Sequence, residues 1–227
     1  MRPNKSAVRP RAILFDLDGV LWFSVDAHRA AFEKAFHEMG LPLTFSKRAF
    51  SPYSGMTTEK ALHHVLQDHK IRWTAGRRAE FSRRKRAWAL RYLQKEAKLQ
   101  QRLLPTLKRL RRTHLLGLVS SGHPQTIRVF LKRSRSERLF SVILSHGDVP
   151  YSKPHPRIYK TALRRLRLRP HEAVAIEDTV SGTHSARGAG IPVIGMRGTC
   201  APKLLRRAGA FKIVSRLTDL LNHASDL

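Results

Sequence analysis

Four polar clusters draw attention because each sits at the end of an apolar run or in a short loop. Asp16 and Asp18 follow the run Ala12–Phe15, and Ser120, with Ser121 and Gly122 behind it, ends the run that begins at Leu115. Glu177 and Asp178 follow Ala173–Ile176, and Lys153 lies between a serine and a proline just before a helical stretch. Carboxylates gathered in one place repel one another and need a cation to stay ionised together. An all-oxygen donor set suits Mg²⁺, which takes a few carboxylates and keeps waters that a substrate phosphate can replace. Taken singly, each cluster also has an ordinary reading: turn formers for Asp16 and Asp18, a loop hydroxyl for Ser120, a surface lysine for Lys153, and the acidic cap of the next helix for Glu177 and Asp178.

The elements that must position these groups can be read from periodicity. Ala12–Phe15 is a buried strand ending in a tight turn. From Asp26 to Met39 the apolar residues recur at helical spacing until Gly40 and Pro42 stop them. Thr57 or Thr58 can cap the next helix, through Leu66, and residues from about Arg77 to Gln100 read as one long basic helix. Little between 22 and 103 has strand character. After Pro105 strands and helices alternate: Leu115–Ser120, Phe140–Leu144, Ala173–Ile176, Ile191–Ile194 and Phe211–Val214 as strands, with helices between them and a short helix at the end. Such alternation implies parallel strands joined by right-handed crossovers. The expected fold class is α/β: a Rossmann-like parallel sheet with helices on both faces and an inserted α-helical block. The expected division is a basic tail over 1–10, a core from 11–21 and 104–227, and a helical cap over 22–103. In an open parallel sheet ligands bind beyond the carboxyl ends of the strands, which is where the polar clusters fall.

The chain has 227 residues with 44 Lys and Arg against 16 Asp and Glu, a formal net charge of +28. Such a surface attracts polyanions and speeds encounters with anionic substrates. The basic residues are scattered over helical stretches, with no helix-turn-helix, zinc-finger or base-stacking signature beside them. The excess is read as charge spread over helix surfaces, so nucleic acid is expected only as a non-specific electrostatic partner. No apolar run is long enough to span a bilayer, and no membrane association is expected. The single cysteine, Cys200, excludes an internal disulfide framework and fits a cytoplasmic setting. Six of the 12 histidines (His28, His63, His64, His123, His146 and His155) lack metal-ligand spacing with that cysteine and read as surface, cap or helix residues, with His28 the one that could face the site. Trp22, Trp73 and Trp88 read as packing anchors.

The segments Asp16-Leu17-Asp18-Gly19-Val20, Val119-Ser120-Ser121-Gly122, Ser152-Lys153-Pro154 and Ile176-Glu177-Asp178-Thr179, in that order, resemble the four motifs of the haloacid dehalogenase superfamily. The stretch from Asp148-Val149-Pro150 to Lys153-Pro154 resembles its β-phosphoglucomutase-like and phosphoglycolate phosphatase-like branch. The resemblance covers about residues 11 to 200. It implies a Mg²⁺-dependent phosphatase working through an aspartyl-phosphate on Asp16. Asp18 would be the general acid and base and would lend its backbone carbonyl to the metal. Ser120 would hydrogen-bond the phosphoryl group, Lys153 would neutralise charge, and Asp178 with Glu177 would hold Mg²⁺ together with Asp16. Gly19, Ser121 and Gly122 would line the phosphate, and Gly55 and Thr58, within Ser54-Gly55-Met56-Thr57-Thr58-Glu59, would touch the substrate from the cap.

The same resemblance marks departures. Phe23-Ser24 stands where many relatives carry Asp-Ser. Thr58 stands where β-phosphoglucomutases place an arginine, and His123-Pro124 where an asparagine is expected. These place a phosphatase acting on a small phosphorylated metabolite ahead of the alternative of a phosphomutase; separately, the chain is expected to be a monomer. A third reading, of another class, is a basic polyanion-binding protein with a vestigial core.

Overall fold

A computed structural model describes residues 10–222, so the expected basic tail lies, but for Pro10, outside the described residues. In chain order the elements are β1 (Ala12–Phe15), β2 (Trp22–Phe23), α1 (Val25–Glu38), α2 (Lys47–Phe50), α3 (Thr58–Asp68), α4 (Ala75–Lys95) and β3 (Lys98–Leu99). They continue with α5 (Leu103–Arg111), β4 (Leu115–Val119), α6 (Pro124–Ser134), β5 (Val142–Leu144), α7 (Arg157–Leu166), β6 (Ala173–Glu177), α8 (Val180–Gly188), β7 (Val193–Met196), α9 (Pro202–Arg207), β8 (Ala210–Val214) and α10 (Asp219–Asn222). Six strands form one sheet in the order β5-β4-β1-β6-β7-β8, every neighbouring pair parallel. This is the expected Rossmann-like α/β architecture.

The sheet is apolar on both faces because strand residues alternate in direction. Ile13, Phe15, Leu116, Leu118, Val174 and Ile176 point to one side, where Leu107 and Leu110 of α5 and Ile127 and Phe130 of α6 cover them. Ala12, Leu14, Ala173, Ala175 and Val193 point to the other, against Ile158, Tyr159, Ala162 and Leu163 of α7 and Leu205 of α9. Register does the positioning: Phe15 lies level with Leu118 on one side and Ile176 on the other. The residues that follow these three therefore leave the sheet at a common edge.

Helices α1 to α4 hold a separate core. Phe32 and Phe36 of α1, Phe45, Phe50, Leu62 and Val65 of α3, and Phe81 of α4 are buried together. The Phe36 and Phe81 rings sit 4.4 Å apart, and Trp73 packs 5.7 Å from Phe36. Thr57 caps α3, its side chain accepting the Lys60 N–H at 3.3 Å, and Thr74 caps α4 in the same way.

The expectation that little between 22 and 103 has strand character needs correction at both ends of that block. Trp22–Phe23 pairs antiparallel with Lys98–Leu99, so the chain leaves for the helices and returns from them as a two-stranded ribbon. The long basic helix stops at Lys95 rather than continuing to Gln100. The strand expected from Phe140 begins at Val142, after a 3-10 turn over Glu137–Leu139. The strand expected over Ile191–Ile194 runs from Val193 to Met196.

Phe81 is fully buried at the centre of the aromatic cluster. Phe81→Ala is expected to cost about 3–5 kcal/mol, read as a lower urea midpoint; a loss under about 1 kcal/mol would mean that this cluster does not hold the four helices together.

Candidate active site

The common sheet edge brings the predicted acids together. Asp16 leaves β1 with its N–H bonded to the Ile176 carbonyl at 3.0 Å, which seats it beside the end of β6. One carboxylate oxygen from each of Asp16, Glu177 and Asp178 lies within 4.8 Å of the others, and all three residues are buried. Lys153 reaches in from the loop before α7 and is 1% exposed. Its ammonium donates to Asp16 Oδ1 at 2.5 Å, Glu177 Oε1 at 2.6 Å and the Val119 carbonyl at 2.9 Å.

The charges do not balance within the protein. Three buried carboxylates face one buried ammonium, and unpaired buried charge is costly. Burial pushes the Asp16 carboxyl well above the usual range, with Lys153 opposing and Glu177 and Asp178 adding to the rise. Burial likewise raises Asp178 to about 7, against the bond it receives from Thr199. Lys153 is pulled down by burial but raised more by Asp16 and Glu177, so it stays charged. Asp178 Oδ1 is buried and, among the described residues, has no hydrogen-bond partner. A deficit of positive charge and an orphaned carboxylate oxygen in an all-oxygen cluster fit a divalent cation.

Asp18 has a different environment. It accepts from the Ser24 hydroxyl and lies 3.4 Å from His28 Nε2. Burial would raise its carboxyl, but His28, Ser24 and Lys85 together hold it below the ordinary value. Behind it, Lys85 Nζ lies 3.3 Å from His28 Nδ1 and donates to Thr58 Oγ1 at 3.2 Å. Burial lowers Lys85 to about 8, with Asp18 and Glu59 opposing. Burial, and then Lys85, lower His28 as well. Thus α1 and α4, through His28 and Lys85, govern the charge of a side chain carried on the β1 loop.

A cavity of about 330 Å³ opens over these groups, between the sheet edge and the helical block. Asp16, Asp18, Ser121, Gly122, Gly55 and Thr58 line it, as do Lys85, Arg86, His123 and His146. Gly19, Ser120, Lys153, Glu177 and Asp178 do not line this cavity. Ser120 is buried, and its hydroxyl accepts the Gly122 N–H at 2.9 Å. Gly19 backs Asp178: with φ of +86°, a Cβ there would fall 1.8 Å from Asp178 Oδ2. Only glycine fits both the left-handed backbone and that contact.

Several groups escaped the sequence reading. Lys85 lies in a run of arginines, and only its burial sets it apart. Tyr159 occupies an apolar stripe of α7, yet its hydroxyl donates to Glu177 Oε1 at 2.6 Å, completing a buried Lys153–Glu177–Tyr159 chain. His123 is the N-cap of α6, as a cap reading allows, but it and His146 also line the cavity. Trp22, by contrast, is fully buried 5.7 Å from Phe130, as a packing anchor should be.

Comparison with known proteins agrees with this geometry. The chain is 27% identical over 199 residues to validoxylamine A 7'-phosphate phosphatase of Streptomyces hygroscopicus subsp. limoneus, covering 87% of this chain and 91% of that protein. It is 27% identical over 191 residues to phosphoglycolate phosphatase of Yersinia pestis, covering 82% and 80% of the two chains. The crystal structure of a hydrolase from Pseudomonas syringae superposes with a TM-score of 0.85 at 23% identity, covering 96% of this chain and 99% of that one, which shows a shared fold. The family model described as haloacid dehalogenase-like hydrolase matches residues 13–196, and the chain belongs to that family.

Proposed function

We propose that this enzyme is a Mg²⁺-dependent phosphatase that hydrolyses a small phosphate monoester through an aspartyl-phosphate on Asp16. The observation that carries the reading is the Asp16 carboxylate, held at 2.5 Å by a buried lysine and lining a cavity that also holds Asp18. Phosphoryl transfer asks little of a protein beyond positioning and charge neutralisation.

In this scheme Asp16 Oδ attacks phosphorus and the bond to the alcohol oxygen breaks, with Asp18 giving its proton to that oxygen. Water then attacks phosphorus, Asp18 takes the water proton, and the bond from phosphorus to Asp16 breaks. Asp18 is held ionised before substrate arrives. A phosphate dianion entering beside it raises its pKa by like-charge repulsion and prepares it as an acid. The Ser120 hydroxyl and the Ser121 backbone N–H meet the phosphoryl oxygens, Gly122 lines them while its own N–H holds the Ser120 oxygen, and Lys153 offsets their charge. Asp16, Asp178 and the Asp18 carbonyl would hold Mg²⁺, with Glu177 alongside. The ion supplies electrostatic stabilisation of the transferring group.

Residues 22–103 act as a cap over this site, with Gly55 and Thr58 touching the leaving group. Thr58 standing where β-phosphoglucomutases place an arginine supports water, rather than a second phosphorylated group, as the final acceptor. The working form is a cytoplasmic monomer, a setting that the lone cysteine fits. No helix among the described residues is long and apolar enough to cross a membrane. Nucleic acid is left with non-specific electrostatic contact.

The first test is Mg²⁺-dependent phosphate release from a generic aryl phosphate. Asp16→Asn should lose more than about a thousand-fold in kcat; equal turnover by the two proteins would refute the nucleophile. Asp18→Asn should slow release about 10²–10⁴-fold. Isomerised sugar phosphate without net phosphate release would instead mark a mutase.

A second test uses pH. The Asp178 carboxyl is raised to about 7 from 3.8, so its contribution to the stability of the metal-free protein is full at low pH and is lost as pH rises through about 7. Mg²⁺ binds the ionised form, so the rise in Tm on adding Mg²⁺ should be larger at pH 8 than at pH 6. A shift that is absent at pH 8, or equal at the two, would count against the metal assignment.

A further inference from the structure

The seam between the helical block and the sheet runs through residues that also touch the acidic cluster. Ser51, at the start of a 3-10 turn after α2, donates its hydroxyl to the Thr199 carbonyl at 3.1 Å. The Thr199 hydroxyl in turn donates to Asp178 Oδ2, and the Cys200 N–H donates to the Asp178 carbonyl at 3.2 Å. On the other flank of the same acid, Gly55 presses on Thr179: with φ of +78°, a Cβ at Gly55 would fall 2.8 Å from the Thr179 hydroxyl. Residues 51–55 therefore dock on both sides of Asp178, through the loop after β7 and through the N-cap of α8.

A threonine hydroxyl has one proton to give. Here it goes to Oδ2, which leaves Oδ1 buried and, among the described residues, without a partner, on a carboxylate that has one oxygen within 4.8 Å of oxygens of Asp16 and Glu177. We propose that Thr199 is a positioning residue that couples cap docking to the cation site: its hydroxyl selects which Asp178 oxygen faces the ion, and its carbonyl ties that choice to Ser51. The inference rests on the phosphatase reading only in taking Asp178 as a cation ligand. Groups that orient a metal ligand in this way change metal affinity by about 10–100-fold when removed. Ser51 acts one step further away, by holding the loop that carries Thr199, so its loss has a smaller effect in the same direction.

The test titrates Mg²⁺ calorimetrically into the full-length protein and its Thr199→Val, Thr199→Ser, Ser51→Ala and Asp178→Asn variants, with Tm measured alongside. Thr199→Val should raise the Mg²⁺ Kd about 10–100-fold and need correspondingly more Mg²⁺ for half-maximal phosphate release, while kcat at saturating Mg²⁺ falls far less. Thr199→Ser should return the Kd to within about three-fold of the parent, because it restores the donor. Ser51→Ala should weaken Mg²⁺ binding by less than Thr199→Val does. A residue that served stability alone would lower Tm and leave the Kd unmoved. A parental Kd in Thr199→Val, or a folded Thr199→Ser that fails to recover it, overturns the proposal. If Asp178→Asn loses Mg²⁺ while Thr199→Val keeps it, the coupling fails and the phosphatase reading stands. If Asp178→Asn binds Mg²⁺ as the parent does, the cation assignment fails and takes the coupling with it.

Discussion

The ion pair of Lys153 with Asp16 and Glu177 is the interaction on which the rest of this structure turns. A lysine that is 1% exposed is tolerated because two carboxylates and a carbonyl take its three protons. The carboxylates in turn can approach one another because the lysine stands between them. Removing either side would leave buried charge without a partner, a far larger penalty than losing a surface pair. Tyr159 extends the arrangement by bonding the same Glu177 oxygen that the lysine uses. The nucleophile candidate is therefore fixed from behind, by groups that do not line the cavity.

The sheet exists, in functional terms, to bring that pair together. Asp16 and Lys153 are 137 residues apart in the chain, and Glu177 reaches them because β6 runs beside β1 in register. Apolar residues on both faces hold β1, β4 and β6 together, so the first polar groups appear where these three strands end. Charge and chemistry are confined to that edge by the burial pattern itself.

How much of this could be read in advance follows from what leaves a local trace. Asp16, Asp18, Ser120, Glu177 and Asp178 each follow an apolar run, and a strand end is visible in the chain. The alternation after Pro105 gave the parallel sheet for the same reason. Lys85 and Tyr159 left no such trace: one is a basic residue on a basic helix, the other an aromatic on an apolar stripe. Their roles arise from neighbours far away in sequence, His28 and Thr58 for the first and Glu177 for the second. The strands Trp22–Phe23 and Lys98–Leu99 were illegible because two residues cannot show a period. Thr199 sits in a loop of mixed residues, and nothing in its surroundings announces a bond to an acid.

That short ribbon has a mechanical consequence. Both crossings between the sheet and the four helices run side by side, so any rotation of the helices relative to the sheet must pivot there. Side chains near the pivot, such as Ser24, which follows Phe23 directly, would travel little, whereas those farther from it would sweep a wider arc. The contact with Asp18 would thus persist through such a swing, and the far rim would decide when solvent enters.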